Sequence, residues 1–335
     1  MNSTFKRSIS LFLAIAAIGI LTRPSAMAAA VPGTAGDRTT PARIDFIFDK
    51  DAYGLPSAQT EAMTSETQKF SRLSVRLYGG FSRVAAGDVN EGADGYFELF
   101  ETYAALGFGI TTGGYNPVHT GYNFGADFIY QLSPTIGVGL GVGYLRSSSD
   151  SLMTFVGEGL SFTLTGTPTL SAVPIRLGVF LTFPIAGKIS LTADAGAAYY
   201  AGLKLDATQR LEVDATDWQM ISLNGSRNSN LGFQGSLGFE YRLSRGMGFF
   251  VEALGRYARF KNFASVTGTT ETSDGASDTT SGKLYIATET STDGTFSIFT
   301  IEETPPVDNP PTETFREPKI DLSGFSLQAG IRIRF

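Results

Sequence analysis

The chain has 335 residues, a formal net charge of −6 and no cysteine. The absence of cysteine excludes disulfide bonds, thiolate zinc sites and a thiol nucleophile. The acidic balance excludes the basic surface expected of a nucleic-acid-binding protein. At this length the chain could form one domain or two.

The first 28 residues are typical of a secretory signal peptide. Lys6 and Arg7 precede an apolar run over residues 11–21, and Ala26-Met27-Ala28 follows as a small-residue cleavage site. The run is too short for a transmembrane helix, which needs about 20 residues, and the order of the three regions matches a cleaved export signal. Cleavage would remove three of the 26 basic residues, leaving 23 against 32 acidic ones and a net charge of −9.

Residues 29–70 separate the signal peptide from the first regular pattern. Ile44, Phe46 and Phe48 alternate briefly with polar residues, and no longer periodic pattern follows them. We interpret this region as an N-terminal periplasmic extension, which either tucks against the following domain or forms a mobile tail.

Eight segments alternate between apolar and other residues, which is the period of a β-strand with two different faces. In the last of them, FSLQAGIRIRF, every second residue from Phe325 to Phe335 is apolar. In chain order the segments are 72–83, 121–132, 135–144, 173–183, 188–199, 231–243, 247–259 and 325–335.

The connections between these segments alternate in length. Three are short turns of a few residues, and the four long ones cover roughly 84–120, 145–172, 200–230 and 260–320. In an antiparallel meander this places every short turn at one end and every long loop at the other. An even strand number with short periplasmic turns and long extracellular loops is typical of a bacterial outer-membrane barrel. The predicted fold is therefore all-β, an eight-stranded antiparallel up-and-down transmembrane β-barrel over residues 71–335.

Alternation alone fits a soluble barrel or sandwich equally well, so two further features decide between them. Segment 135–144 has four glycines on its non-apolar face, which suits a crowded lumen better than a solvated surface. Aromatic residues also lie at both ends of the apolar face, about 20–25 Å apart at strand spacing, as in the two girdles of a membrane barrel. The girdle residues are Tyr122, Tyr130, Tyr144, Phe183, Tyr199, Phe233, Tyr241, Phe249 and Tyr257.

The C-terminal segment resembles the assembly signal of the eight-stranded outer-membrane barrel superfamily that includes the OmpA, OmpX and OmpW types. The signal is a polar residue, a glycine, a hydrophobic residue and a final aromatic at fixed spacing, matched here by Gln328, Gly330, Ile333 and Phe335. The resemblance covers 71–335 and implies recognition by the barrel assembly machinery. It also implies that the last strand pairs with segment 72–83 and thereby closes the barrel.

Eight charged residues share the face opposite to the apolar one: Arg76, Asp127, Arg176, Asp194, Glu240, Glu252, Arg256 and Arg332. An eight-stranded barrel is only just wide enough for side chains to fill it, and charges away from water are costly unless paired. Two interpretations stay open. The residues form an ion-pair network that plugs the lumen, or they line a narrow polar pore or gate.

Residues that could carry catalysis or bind a metal are sparse. His119, the one histidine, lies near the rim and lacks the nearby serine to which a barrel deacylase would couple it. Residues 49–54 half-match a calcium loop but supply too few carboxylates. We therefore expect no catalytic residue, no metal site and no cofactor.

The long connections are rich in acidic residues. In the first, Tyr96, Phe100 and Tyr103 have helical spacing and predict a short helix over 96–106. In the fourth, segments 284–290 and 296–301 flank Asp293-Gly294, a hairpin signal. These loops either form a solvated cap or bind an extracellular ligand, which includes lipopolysaccharide held through divalent cations.

The sequence thus predicts a non-enzymatic outer-membrane protein with its termini in the periplasm and its long loops at the cell surface. Its loops would mediate contact, adhesion or envelope integrity, with outer-membrane lipid and lipopolysaccharide as surroundings. The alternative is a small, porin-like channel or a transport conduit for polar or small hydrophobic molecules. A lipid-modifying enzyme is a third, weaker interpretation.

Overall fold

The computed structural model describes residues 71–157, 159–213, 216–263, 265–290 and 294–335, so the predicted signal peptide, the extension 29–70 and the half-matched calcium loop lie outside the described residues. The described residues form fifteen strands and one helix. In chain order these are β1 (Leu73–Gly87), α1 (Asp88–Ala105), β2 (Gly109–Gly114), β3 (Thr120–Gln131), β4 (Ile136–Ser148), β5 (Ser151–Gly157), β6 (Leu160–Ala186), β7 (Ile189–Glu212), β8 (Trp218–Arg242), β9 (Met247–Tyr257), β10 (Arg259–Phe260), β11 (Ser265–Thr272), β12 (Ser277–Thr290), β13 (Thr295–Glu302), β14 (Glu313–Arg316) and β15 (Ile320–Arg334).

Eight of these strands form a closed antiparallel ring in the order β1, β3, β4, β6, β7, β8, β9, β15 and back to β1. Each of the eight predicted segments falls in a different strand of this ring, which confirms the predicted barrel. The first and last strands pair from Ser74↔Arg334 to Arg83↔Phe325. The predicted closure is therefore also confirmed, and the ring has no open edge.

Three barrel strands are much longer than predicted. Their apolar residues switch from the outward face to the inward face along the strand, and the predicted segments cover only the part with outward apolar residues. β6, β7 and β8 have 27, 24 and 25 residues. In the lower part of β6, Leu177 points outward and is 65% exposed, whereas Leu164 further along the same strand points inward and is 1% exposed. The change of face interrupts the apolar register, which is why the sequence pattern missed the first part of β6 and β8 and the last part of β7.

The long connections fold onto these extensions instead of forming open loops. β5 and β2 continue the sheet from β6, and β11, β12 and β13 continue it from β8. The predicted hairpin pairing is confirmed by β12 and β13, from Lys283↔Glu302 to Thr290↔Thr295. The predicted helix is confirmed by α1, although it begins eight residues before position 96.

Helix α1 packs closely against this sheet. A side chain at Gly92 would lie 2.7 Å from the Phe299 ring, and one at Gly95 would meet the backbone of Ser297 on β13. On its other side Phe97 and Phe100 pack with Met153 and other apolar residues of β5–β7. The helix therefore spans the long-loop end of the barrel, between β13 and the strands β5–β7.

The outer wall below this end is apolar and exposed. Leu140, Leu177, Phe128 and Phe239 are each more than half exposed, which a soluble protein would not tolerate over a continuous surface. The predicted girdle residues all point outward, and only Tyr144 is half-buried. No helix among the described residues is both long and apolar enough to cross a membrane.

The closure of the ring supports a prediction for its last residue. The Phe335 backbone N–H donates to the Leu73 carbonyl at 2.9 Å, while its ring is 69% exposed. Since the ring makes few internal contacts, we expect Phe335→Ala to lower outer-membrane levels through assembly, with export unaffected. Quantitative immunoblots of membrane fractions check this, with Phe249→Ala as an aromatic control outside the C-terminal signal. Normal levels of heat-modifiable Phe335→Ala protein would contradict the prediction.

Candidate functional site in the barrel lumen

The strand alternation places the eight charged residues predicted for the lumen on the buried face of the wall. Each of them is at most 9% exposed: Arg76, Asp127, Arg176, Asp194, Glu240, Glu252, Arg256 and Arg332. They come from seven different strands, so only the closed ring brings them together.

One ion pair is bidentate. Arg176 on β6 donates from Nε to Asp127 Oδ1 at 2.6 Å and from a second nitrogen to Oδ2, with Asp127 fully buried. Gly141 lies between their strands, and a side chain there would collide with Asp127 and lie 2.7 Å from Arg176 Nε. The glycine-rich face of β4 therefore makes the room that the charge pair fills, as the crowded-lumen prediction required.

A second group centres on Arg76. Its guanidinium contacts Glu252 directly and lies 3.7 Å from Asp194 Oδ2. Gln328 donates to the other Glu252 oxygen at 3.0 Å and accepts from Asn123 at 3.0 Å. Glu252 is thus held by a cation and an amide, the kind of partners that offset the cost of burying a carboxyl group.

A third group lies at the C-terminal strand. Glu240 binds Arg332 at 3.3 Å and also contacts Arg334. Arg256, in contrast, has no carboxylate partner among the described residues and donates to Ser326 Oγ at 2.8 Å and to the Leu322 carbonyl at 2.8 Å. Seven of the eight predicted residues therefore meet in ion pairs, and Arg256 is held by neutral groups.

Aromatic rings complete this layer, and sequence reasoning did not assign them to it. Arg76 lies over the Phe250 ring at 4.0 Å, and Arg176 lies over Tyr78 at 5.1 Å. Phe180 is 5.7 Å from both guanidinium groups. The sequence did contain a signal for this role. All three aromatics lie in the same register as the lumen charges, and large aromatic residues are not expected on a face exposed to water.

An apolar layer follows the charged one toward the long-loop end. Its members are buried residues of several strands, among them Leu145, Leu170, Tyr200, Leu203 and Phe260. They lie on the inner side of the wall, in the region where β6–β8 have changed their apolar face. This layer separates the ion pairs from the space beneath α1.

A cavity of about 80 Å³ lies under α1, on the inner side of the strand extensions. Its lining is mostly apolar with a few amide and hydroxyl groups: Gly92, Ala93, Tyr96, Gly166, Pro168, Ala207, Thr208, Gln209, Gln219, Ile221, Leu223, Thr270 and Phe299. Gln209 Nε2 also donates to the Ala93 carbonyl at 3.0 Å, which fixes the helix over the cavity. No local sequence pattern predicted this site, since its lining comes from six separate elements.

The wall itself has an interrupted seam between β4 and β6. The strands pair up to Val142↔Ile175 and resume at Leu145↔Ala172, so Gly143 and Pro174 fall in the gap. Proline carries no N–H to donate. A cavity of about 20 Å³ at this seam touches the inward Tyr78 and Arg176 and also the outward Phe124.

The other predicted residues are placed as follows. His119 Nδ1 lies 3.2 Å from the Val84 carbonyl, at the base of the first long connection. In the assembly signal, Gln328 points into the lumen, Gly330 packs closely against Phe250, and Ile333 pairs with Val75 of β1.

Acidic residues on α1 create a group with a shifted pKa. Burial raises the pKa of Asp94 to about 6, and the neighbouring charges of Glu98 and Glu101 add to the effect. Burial and the Asp94 charge also raise the pKa of Tyr115, whose hydroxyl donates to Asn90 Oδ1 at 2.9 Å. Compared with the unfolded chain, the folded helix therefore favours the protonated form of Asp94.

The bidentate pair gives a stability prediction. Arg176→Ala leaves the Asp127 carboxylate buried without a partner, and we expect a loss on the order of 3 kcal/mol in the free energy of unfolding. Arg259→Ala, which breaks the exposed Arg259–Asp321 pair, is the control and should change little. Urea unfolding in lipid vesicles measures both. An unchanged midpoint for Arg176→Ala would indicate a wet, open interior.

The raised pKa of Asp94 predicts that α1 is held more firmly in acid. Its stabilising contribution is full below the ordinary pKa of 3.8 and is lost as pH rises through about 6. Because Asp94 is half-exposed, we expect the change to stay below the roughly 1.4 kcal/mol that one pKa unit represents. Hydrogen exchange of α1 amides at pH 5 and 7.5, corrected for intrinsic rates, measures it. Asp94→Asn should abolish the difference and Asp278→Asn should retain it, whereas equal pH dependence in both would refute the assignment.

No protein-family model and no curated protein matches the chain. Among solved structures it is similar to a major outer membrane protein from Thermus thermophilus, with 18% identity over 79% of this chain and 99% of that one and a TM-score of 0.34. It is also similar to the outer membrane protein OprG from Pseudomonas aeruginosa, with 13% identity, 79% and 97% coverage and a TM-score of 0.34. The outer membrane protease OmpT from Escherichia coli shows 8% identity, 80% and 100% coverage and a TM-score of 0.24. With its closed ring of eight antiparallel strands and its exposed apolar outer face, the chain has the fold of a transmembrane β-barrel of the outer-membrane type.

Proposed function

We propose that this protein is a non-enzymatic conduit that takes up small apolar molecules at the cell surface and releases them sideways into the membrane. In this proposal the long-loop end faces the outside and the termini face the periplasm, as in barrels with long extracellular loops. The cavity beneath α1 is the observation that carries the proposal.

The lining of the cavity suits a small apolar molecule with one polar group. Phe299, Ile221 and Leu223 supply apolar surface, while Gln209 and Gln219 supply amides. Ligand sites are commonly concave and apolar with a few placed polar groups. A volume of about 80 Å³ accepts a short chain. An engineered cavity that holds benzene has roughly 150 Å³, so a ring compound would enter only with an outward shift of α1, and a sugar or peptide is too large.

Direct passage through the barrel is unfavourable for such a molecule. The apolar layer around Leu203 and Phe260 fills the interior below the cavity, and the ion pairs of Arg76 and Arg176 lie beyond it. An apolar molecule would have to separate buried ion pairs to reach the periplasmic end, at a high desolvation cost.

The seam between β4 and β6 offers a shorter route. Pro174 and Gly143 leave the strands without continuous pairing at this point, and residues of both faces meet there. A molecule that displaced side chains of the apolar layer and passed through the seam would enter the hydrocarbon core beside Phe124 and Tyr144. Its transfer would be driven by the same apolar burial that favours the cavity.

The contact or adhesion role predicted from the acidic loops stays a prediction. We favour the conduit over the adhesion role because the fourth long connection also forms part of the cavity wall. Its strands β11 and β13 contribute Thr270 and Phe299 to the wall of the cavity.

Naphthalene is a suitable fluorescent probe for the cavity. Ala207→Phe fills it, and we expect naphthalene binding by the refolded protein to fall at least tenfold. Ala195→Phe makes the same change on the exposed outer face of β7 and should bind normally. Heat-modifiable migration verifies that both variants fold. Unaltered binding by folded Ala207→Phe would rule out the cavity.

The seam is tested by Pro174→Ala, which restores a backbone donor. We expect this variant to bind naphthalene normally in solution but to slow its accumulation by cells that depend on the protein. Single-channel recording in planar bilayers completes the test, since the filled lumen predicts silence. Steady openings would instead support an ion-conducting pore, and normal uptake by Pro174→Ala would refute the lateral route.

A further inference from the structure

We propose a second site, on the outside of the barrel, where Arg83 and Arg146 bind the phosphate groups of a lipid A-type headgroup. The site rests on the orientation given under the proposed function, because this lipid occupies the outer leaflet. It does not depend on the cavity or on transport. Its occupant is a lipid of the membrane that surrounds the protein.

The strand register assembles the site from three neighbouring strands. Phe81 of β1 pairs with Tyr122 of β3, and Tyr122 pairs with Arg146 of β4. Arg83 pairs with Thr120 on the same face, one row closer to the long-loop end. A groove of about 300 Å³ on this face is lined by Phe81, Thr120, Gly121, Tyr122, Arg146 and Ser148.

Both arginines are exposed and lack an ion-pair partner among the described residues. Two arginines of the neighbouring long connections are paired, in contrast: Arg259 lies 2.8 Å from Asp321, and Arg210 lies 3.2 Å from Glu212. The other exposed arginines without an ion pair among the described residues lie near the short-turn end: Arg72, Arg242 and Arg245. In a chain with 32 acidic and 26 basic residues, two neighbouring cations without a carboxylate are available to an external anion. Asp150, the acid that follows β4, accepts instead from Thr167 at 2.9 Å.

The site lies at the level of the membrane interface, where lipid headgroups are found. Phe81 and Tyr122 belong to the aromatic row at the long-loop end, where aromatic rings mark the membrane interface. Arg83 lies two residues beyond Phe81, about 7 Å further from the membrane centre at strand spacing. Below the row, Leu77 and Phe128 present exposed apolar surface for acyl chains.

The spacing of the cations favours a headgroup with two phosphates. Arg83 and Arg146 are two strands and two residues apart, which places their backbones about 12 Å from each other. Guanidinium groups bind phosphate oxygens in a bidentate manner. A disaccharide with a phosphate at each end can satisfy both arginines, whereas a single phosphodiester headgroup offers one weaker anion.

The test is a lipid titration of the refolded protein, followed by native mass spectrometry in EDTA so that no divalent cation bridges the contact. The probes are bisphosphorylated lipid A, the same lipid A after phosphatase treatment, phosphatidylglycerol and inorganic phosphate. We expect Arg83→Gln/Arg146→Gln to retain bisphosphorylated lipid A about tenfold less than the wild type, since basic residues near anionic lipid each strengthen attraction several-fold. Lys188→Gln/Arg245→Gln removes the same charge from exposed residues of the short turns and should behave as the wild type.

Each outcome decides the proposal. Loss of binding on phosphatase treatment, matched by loss in the arginine variant, supports it. Equal retention by both double variants, or equal affinity for phosphatidylglycerol and lipid A, overturns it, as does competition by inorganic phosphate alone. Naphthalene binding by the arginine variant should be unchanged, so failure of this site and failure of the conduit are separate results.

Discussion

The pairing of β1 with β15 is the constraint on which the rest of the structure depends. A membrane offers no water to backbone N–H and C=O groups, so a strand can cross it only when both of its edges are paired. The register from Ser74↔Arg334 to Arg83↔Phe325 supplies the last two edges. Without it, the arginines of β1 and β15 would not face the carboxylates of β8 and β9 across a closed interior.

Closure also fixes how narrow the interior is, and this decides the chemistry of the lumen. Eight strands leave space for side chains only, so charges persist there as pairs such as Arg176–Asp127 or by donating to neutral acceptors, as Arg256 does. Glycines on β4 accommodate the large groups. The lumen is consequently filled, and space for a ligand exists where the strands have left the membrane level.

In the extensions of β6, β7 and β8, the apolar residues lie on the opposite face from those of the barrel wall. Within the membrane the apolar residues point outward to lipid, and beyond it they point inward to a core, as Leu177 and Leu164 illustrate on one strand. Each of these strands therefore turns its apolar residues toward lipid in one part and toward a protein core in the other. Helix α1 completes the core at the long-loop end by packing Phe97 and Phe100 into it. The cavity, the seam at Pro174 and the outer groove at Arg146 all lie at or above this reversal.

The sequence by itself determined the number of strands in the barrel, their direction and the inward position of the eight charges, because each follows from period-two alternation and connection length. Closure by the last strand was implied by the resemblance of the C-terminal motif to the barrel assembly signal. It also located the helix and the β12–β13 hairpin. Only the tertiary structure decided which charges pair, how far β6–β8 extend and what encloses the cavity. Those features depend on contacts between elements far apart in the chain, such as Ala93 with Gln209, and no local pattern of residues encodes which distant partner a side chain will meet.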